Sequence, residues 1–481
     1  MSDFEPLSFL VMNSSNAAVN RAYRVVMGDL LSNIRPFRDG LLDEPQPVLL
    51  AGLDYDTPWT RDSAINAWNG TGLFWPSVTR STLLSVLERT PDGLRIGGQY
   101  WDSVIWALGA WAYYLHTGDR EFLGQALEAT SNSLESLEVA EFDGHYGLFR
   151  GPAVYGDGVA AYPDCYANPR SSSILDWVKF NPHKKAAEGF GIPMMALSTN
   201  SVYAQAYQVA SWMANELGIT PNPAWKDCAD ALIDRIQAHF WNPGLGTFNY
   251  LIDPDCSCDA QEGLGHSFAL LFDLADEDQA RSILEKQHIT PAGIPCVWPS
   301  FARYETADGQ SFGRHSGTVW PFISGFWAEA ALKYGRQDLF DREFNLLTQH
   351  INRDAQCAEI YHPLTGEIYG GLQEGLSAEG IQEWKACSRQ SWTASAYLRM
   401  LLSGLFGLRF SGEGVSFKPY LPDGVERIHI TGLPYRACRF DLTVEGHGGT
   451  IAEFRWKGTQ TRPFLPAGLR GDQRIEIRMK P

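Results

Sequence analysis

Two carboxylates stand in settings that suit acid–base work. Asp157 lies between two glycines in Tyr155-Gly-Asp157-Gly158, inside a long stretch rich in Tyr, Gly and Pro. A general acid must hold its proton near neutral pH, and partial burial among aromatic side chains raises a carboxyl pKa in that sense. The same Asp-Gly dipeptide also favours a plain turn. Glu359 stands in Cys357-Ala-Glu359-Ile-Tyr361, ahead of His362-Pro-Leu-Thr-Gly-Glu367. A base that activates water must be ionised, held by polar neighbours and open to one water molecule. The alternative for Glu359 is a solvated loop side chain. Its rival in the segment, Glu367, reads as a turn residue.

A second set of residues suits sugar recognition. A pyranose offers an apolar C–H face that stacks on indole, while its hydroxyls call for Asp, Glu, Arg and Asn. Pro58-Trp59-Thr-Arg61-Asp62 places a platform beside two hydrogen-bonding groups at a helix start. Trp101-Asp102, Trp320 and Trp384 repeat the pairing of indole and polar neighbour, although a capped helix with a structural salt bridge accounts for the first motif equally well. The chain has 16 Trp among 481 residues, which a large core also explains. No His/Cys/Asp cluster has metal-ligand spacing, and neither GxGxxG nor a P-loop is present. Neither a metal nor another cofactor is expected. A Gly-x-Ser-x-Gly elbow is missing too, which argues against a serine hydrolase.

The net charge of −17 argues against nucleic acid or an anionic membrane as a partner, because both need concentrated Lys and Arg. No run approaches the ~18 apolar residues of a membrane span. The first residues show no basic region followed by an apolar stretch, so a cytoplasmic protein is expected. The eight cysteines form no CxxC pair and read as free thiols.

The elements that must position these residues are mostly helices. Apolar residues recur at three- and four-residue spacing over 16–33, 61–73, 76–89, 100–117, 120–137, 200–217, 223–240, 264–274, 276–288, 317–334, 337–349 and 390–406. Twelve helices pair as six antiparallel hairpins, which predicts an (α/α)6 toroid over 1–407 with loops at one end lining a central pocket. The long loops at 142–197, 290–316 and 353–389 are the expected site carriers. Beyond residue 411 the texture turns to alternation, as in Phe440-Asp-Leu-Thr-Val444, and predicts a small antiparallel β-domain over 408–481.

Several motifs together resemble the (α/α)6-barrel glycoside hydrolases, in particular processing α-glucosidase I of family 63, trehalase and α-rhamnosidase. They are Pro58-Trp-Thr-Arg-Asp62, Tyr100-Trp-Asp102, Thr117-Gly-Asp119, Gly317-Thr-Val-Trp-Pro321 and the segment Glu359 to Glu367. The tail, with Phe417-Lys-Pro-Tyr-Leu-Pro422, is similar to the β-domain that closes several such families. The resemblance implies an inverting mechanism, with an Asp acid in the loop after the fifth helix and a Glu base after the eleventh, in a Glu-x-Tyr context. Asp157 and Glu359 occupy those places, with Asp102 and Asp164 as the fallback acids.

The expected activity is therefore exo-acting, inverting hydrolysis of an α-linked oligosaccharide or small glycoside. Trp59, Arg61, Asp62, Trp101, Asp102, Trp320 and Trp384 would hold the sugar. The alternatives are an epimerase or lyase using His145, His266 or His315, a phosphorylase, or a non-catalytic carbohydrate-binding protein.

Overall fold

The computed structural model describes residues 9–168, 170–375 and 380–480. Among them, twelve helices of seven or more residues match the predicted twelve. They are α1 (Ala17–Ser32), α2 (Thr60–Asn66), α3 (Pro76–Leu84), α4 (Trp106–Thr117), α5 (Arg120–Glu141) and α6 (Leu197–Leu217), followed by α7 (Pro223–Phe240), α8 (Gly263–Leu271), α9 (Glu277–Lys286), α10 (Pro321–Lys333), α11 (Gln337–Asp354) and α12 (Ser391–Arg399). Local chemistry sets their ends. Asn16, Asp119 and Asn222 accept backbone N–H bonds as N-caps, and Asp276 with Gln279 forms a capping box. Gly118 closes α4 at φ 72°, a conformation that costs a glycine little.

Burial divides the helices by parity. Every residue of α2 and of α12 is buried, whereas α5 buries a single stripe through Phe122, Leu123, Ala126, Ala129, Ser133 and Leu134. The even-numbered helices pack in a closed circuit: α2 on α4, then α6, α8, α10, α12 and back to α2. Odd-numbered helices lie outside, with α1 against α11 and α12, α3 against α2 and α4, and α5 against α4 and α6. Small residues allow the inner helices to approach closely. A Cβ at Gly109 of α4 would stand 2.5 Å from the Ala64 carbonyl oxygen of α2.

Several helix boundaries differ from expectation; among them the last predicted helix leaves the α-helical path after Arg399 for a π turn at Met400–Leu405, and three others lie near the N-terminal part of the circuit. The second predicted helix leaves the α-helical path at Ala67–Thr71, a π turn with Gly70 at φ 108°. The third stops at Leu84, and Leu87–Thr90 pairs with Gly93–Ile96 instead. Helix α4 begins only at Trp106, after a 3-10 turn at Ser103–Ile105. Short antiparallel pairs of this kind sit between the helices, where no strand was expected.

The C-terminal strands are β2 (Leu408–Ser411), β3 (Gly414–Phe417), β4 (Arg427–Tyr435), β5 (Cys438–Glu445), β6 (Ile451–Trp456), β7 (Thr459–Gln460), β8 (Phe464–Pro466) and β9 (Gly471–Met479), and β1 (Met12–Ser14) joins them from the other end of the chain. The six-stranded sheet runs β1-β4-β5-β9-β6-β7, and β2-β3-β8 forms a second one. The expected antiparallel character holds for every pair but one, since β5 and β9 run parallel. A parallel pair needs a crossover of a dozen residues or more, and the excursion through β6, β7 and β8 supplies it. A continuous apolar core joins the sheet, through Phe417, Phe440 and Val444, to Val19 and Tyr23 of α1 and to Phe344 and Tyr397.

One expectation about the cysteines fails. Cys165 and Cys256 form a disulfide, while Cys228, Cys258, Cys296, Cys357, Cys387 and Cys438 are free. The partners lie 91 residues apart, and only the meeting of the loop after α5 with the loop after α7 brings them together. Among the described residues no helix is long and apolar enough to cross a membrane.

Candidate active site

The N-terminal ends of three inner helices, α2, α10 and α12, meet at one cavity. Trp59 is the N-cap residue of α2, Trp320 of α10 and Gln390 of α12. The positive ends of these helix dipoles favour carboxylates nearby. A cavity of about 410 Å³ opens there. Seven of the nine residues picked from sequence line it: Trp59, Arg61, Asp62, Asp157, Trp320, Glu359 and Trp384.

Glu359 is almost fully buried and held by four donors. Arg314 Nη2 lies 2.8 Å from Oε2, and the Cys387 backbone N–H donates to the same oxygen at 2.8 Å. The Tyr55 hydroxyl donates to Oε1 at 3.2 Å and Gln390 Nε2 at 3.4 Å. Arg314 is itself fixed, since its guanidinium lies 5.4 Å from the Trp320 ring centre and donates to the Gly370 carbonyl. The Trp320 indole N–H donates to the Arg314 carbonyl at 2.7 Å, so this indole also positions the arginine.

Asp157 sits on the long loop after α5, with its side chain 36% exposed. The loop is held by Ile174 N–H, which donates to the Asp157 carbonyl at 2.9 Å, and by Val159 N–H, which donates to Ser172. Gly158 packs against the end of the Gln373 side chain, which would have to shift to admit a Cβ there. Arg61 Nη2 reaches the Asp157 carboxylate at 2.9 Å. Burial acts to raise the Asp157 pKa, but Arg61, through its charge and its hydrogen bond, together with Arg314, outweighs it, and the net shift is downward. Asp62, 4% exposed, goes the other way. Burial, reinforced by the negative charges of Glu359, Asp102 and Asp157, raises its pKa to about 7 against the opposing pull of Arg61.

Trp101 and Asp102 do not reach the cavity wall. Both belong to the turn that precedes Ser103–Ile105, which directs them beneath the rim. Trp101 packs under the loop at Gly151, where a Cβ would stand 2.7 Å from Trp101 Cβ. Asp102 accepts from Arg61 Nη1 at 2.9 Å, so it acts behind the arginine rather than on a ligand. The fallback acid Asp164 is exposed, pairs with Arg303 at 2.7 Å and lies outside the cavity lining; Glu367 is likewise exposed and outside it, just past the turn at 363–365. His145 is exposed, His266 contacts Gln287 and the Phe248 carbonyl, and His315 stacks on Trp320; none of the three lines the cavity. Arg314, Tyr55, Tyr155 and Gln373 line it without having been picked from sequence. For Arg314 a signal existed, because it directly precedes His315 and stands six residues before Trp320. Among the described residues no group of three or more His, Cys, Asp or Glu could hold a metal ion.

The sequence profile of the mannosylglycerate hydrolase MGH1-like glycoside hydrolase domain matches residues 62–393, a span that runs from Asp62 to the start of α12. The matched stretch is therefore a glycoside hydrolase domain. More particularly, the chain belongs to the mannosylglycerate hydrolase MGH1-like family, in agreement with the family-63 resemblance read from its motifs.

Solved structures agree on the fold. The GH78 family rhamnosidase of Bacillus sp. GL1 is similar at 16% identity with a TM-score of 0.61, over 99% of this chain and 44% of that one. The GH63 mannosylglycerate hydrolase from Thermus thermophilus, in complex with glucose, has 15% identity and a TM-score of 0.56, over 79% of this chain and 99% of that one. Neutral trehalase Nth1 from Saccharomyces cerevisiae follows at 15% and 0.52, over 79% of each chain. The chain thus spans less than half the length of the rhamnosidase. No curated protein sequence matches it.

Proposed function

We propose that the protein is an inverting, exo-acting glycosidase on a short α-linked glycoside, with Asp157 as general acid and Glu359 as general base. The closed circuit of even-numbered helices, with the odd-numbered ones outside, supports reading the helical part as an (α/α)6 toroid, residues 1–407, closed by the β-domain 408–481. The observation that carries the mechanism is that two carboxylates face one cavity, each gripped by its own arginine, Asp157 by Arg61 and Glu359 by Arg314. Asp157 protonates the leaving oxygen while Glu359 takes a proton from water attacking the opposite ring face. Inversion calls for the two carboxyl groups to stand ~6.5–9.5 Å apart, leaving room for that water. Four donors converge on the Glu359 carboxylate, the setting that an ionised base requires.

Trp59, Arg61, Asp62, Trp320 and Trp384 contact the terminal sugar. A cavity of about 410 Å³ suits one sugar with a small aglycone, and mannosylglycerate, the substrate in the name of the family and of one relative, is the first compound to test. None of the histidines suited to an epimerase or lyase lines the cavity. One observation favours a second reading of the acid: Asp62 lines the same cavity with a pKa near 7, where a proton donor would be poised. The Cys165–Cys256 disulfide favours an oxidising compartment over the cytoplasm.

The test is turnover of mannosylglycerate, trehalose and 4-nitrophenyl α-glycosides by the parent, Asp157→Asn, Glu359→Gln and Asp62→Asn. Hydrolysis lost in the first two variants supports the assignment. Loss in Asp62→Asn with survival in Asp157→Asn transfers the acid role to Asp62.

A further inference from the structure

The cavity runs from a buried carboxylate to an exposed one. The Glu359 side chain is 2% exposed and that of Asp157 36%, so Asp157 stands nearer the mouth. A general acid protonates the leaving oxygen, so the aglycone lies on the side of Asp157 if that residue is the acid. Ser172, Ser173, Leu175 and Gln373 line the cavity on this side. Gly158 pairs with Ser173 in an isolated β-bridge, and the Ile174 N–H donates to the Asp157 carbonyl. None of the four lining side chains carries a charge.

We propose that the site accepts an uncharged aglycone, a polyol or a second sugar, and selects against one that bears a carboxylate. The placement of the aglycone rests on the reading of Asp157 as the acid, whereas the charge argument applies to the whole cavity.

The charges can be counted. Among the described residues the lining holds two cations, Arg61 and Arg314, and residues 1–8, 169, 376–379 and 481 include no Lys, Arg or His. Both guanidinium groups are engaged. Arg314 donates from Nη2 to Glu359 at 2.8 Å and from Nη1 to the carbonyls of Gly370 and Lys385. Arg61 donates from Nη2 to Asp157 and from Nη1 to Asp102, each at 2.9 Å, with Asp62 3.8 Å from Nε. Burial raises the pKa of Asp62 to about 7 and that of Asp102 to about 6, so at pH 8 four carboxylates surround two cations. With Asp157 carrying the proton it delivers, three remain. Burial keeps His315, stacked on Trp320, neutral with a pKa of about 3. Arg303 holds the same loop through the Val159 carbonyl and pairs with Glu374 and Asp164. Arg170 and Lys385 are exposed and outside the lining.

An incoming carboxylate would therefore lose water without gaining a counter-ion, and would meet like charge in a chain of net charge −17. Hydroxyl groups fit this wall better. Gln373 is buried and its Oε1 lacks a hydrogen-bond partner. An amide oxygen needs a donor, which a hydroxyl has and an ionised carboxylate lacks.

The experiment compares ligands that differ in that one charge. α-Mannosyl and α-glucosyl glycerate, and the corresponding glyceramides, are made as sulfur-linked analogues that resist hydrolysis. Tryptophan fluorescence reports their binding to the parent protein at pH 8, since Trp59, Trp320 and Trp384 line the cavity. For at least one of the two sugars, the glyceramide should bind about tenfold or more tightly than the glycerate. Equal affinities, tighter binding of the glycerate, or no binding of either glyceramide would overturn the proposal. Hydrolysis by Asp157→Asn equal to the parent, on the best glycoside of the screen above, would remove the acid role while the order of binding still decides the preference for a neutral ligand.

Discussion

The two walls of the cavity hold their carboxylates by different means. Glu359 is buried among four donors from four places in the chain, at Tyr55, Arg314, Cys387 and Gln390. Asp157 is more than one-third exposed on a long loop, and a single side chain, Arg61, grips its carboxylate. Four donors fix a charge permanently, whereas one donor leaves it negotiable. A base that must stay anionic until water attacks suits the first arrangement, whereas in the second Arg61 keeps Asp157 ionised, so its proposed role as acid depends on that one contact giving way.

The contrast breaks most decisively at Glu359. Replacement by Gln should lower kcat by about 10³–10⁴-fold on any glycoside if Glu359 is the proposed base. Asp157→Asn should cost about 10²–10³-fold on a glycoside with a poor leaving group, yet much less on a glycosyl fluoride, which departs without a proton. Equal losses on both substrate types would dissolve the difference between the walls. A smaller effect is expected at Arg314→Lys, about tenfold in kcat/KM, since a point charge cannot serve Glu359 and the Gly370 carbonyl together. The smallest test reads stability. The folded pKa of Asp62 is raised to about 7, above the value of 3.8 for the free side chain. Its contribution is therefore full below pH 4 and is lost as pH rises towards 7 and beyond. Asp62→Asn should flatten that decline and leave the variant more stable than the parent at pH 8, by on the order of 2 kcal/mol, in melting curves taken from pH 4 to 8.

The sequence made the helices legible because their caps and apolar spacing are local. The N-cap at Asn16, the Gly118-Asp119 punctuation and the capping box at Asp276 each act within four residues. Trp59, Arg61 and Asp62 were readable for the same reason, since one helix start carries all three. Glu359 was picked by its place after α11, although its donors Tyr55 and Cys387 could not be foreseen across the chain. Trp101 and Asp102 show the limit. Their motif names residues suited to sugar, but a turn of the backbone decides whether they face a cavity or the underside of an arginine. The Cys165–Cys256 disulfide and the parallel pairing of β5 with β9 were invisible because both depend on where distant segments meet.

The pairing of β1 with β4 has a consequence for how the chain is made. Met12, Asn13 and Ser14 are among the first described residues to leave a ribosome, but their partners are Ile430, His429 and Ile428. At a synthesis rate of about 5–20 residues per second, that edge of the sheet waits roughly 20–80 s for its neighbour. Helix α1, which packs on α11 and α12, waits almost as long. The nascent protein must therefore carry an unsatisfied apolar helix face until α11 and α12 have been made, a period in which a holding chaperone would have its natural target.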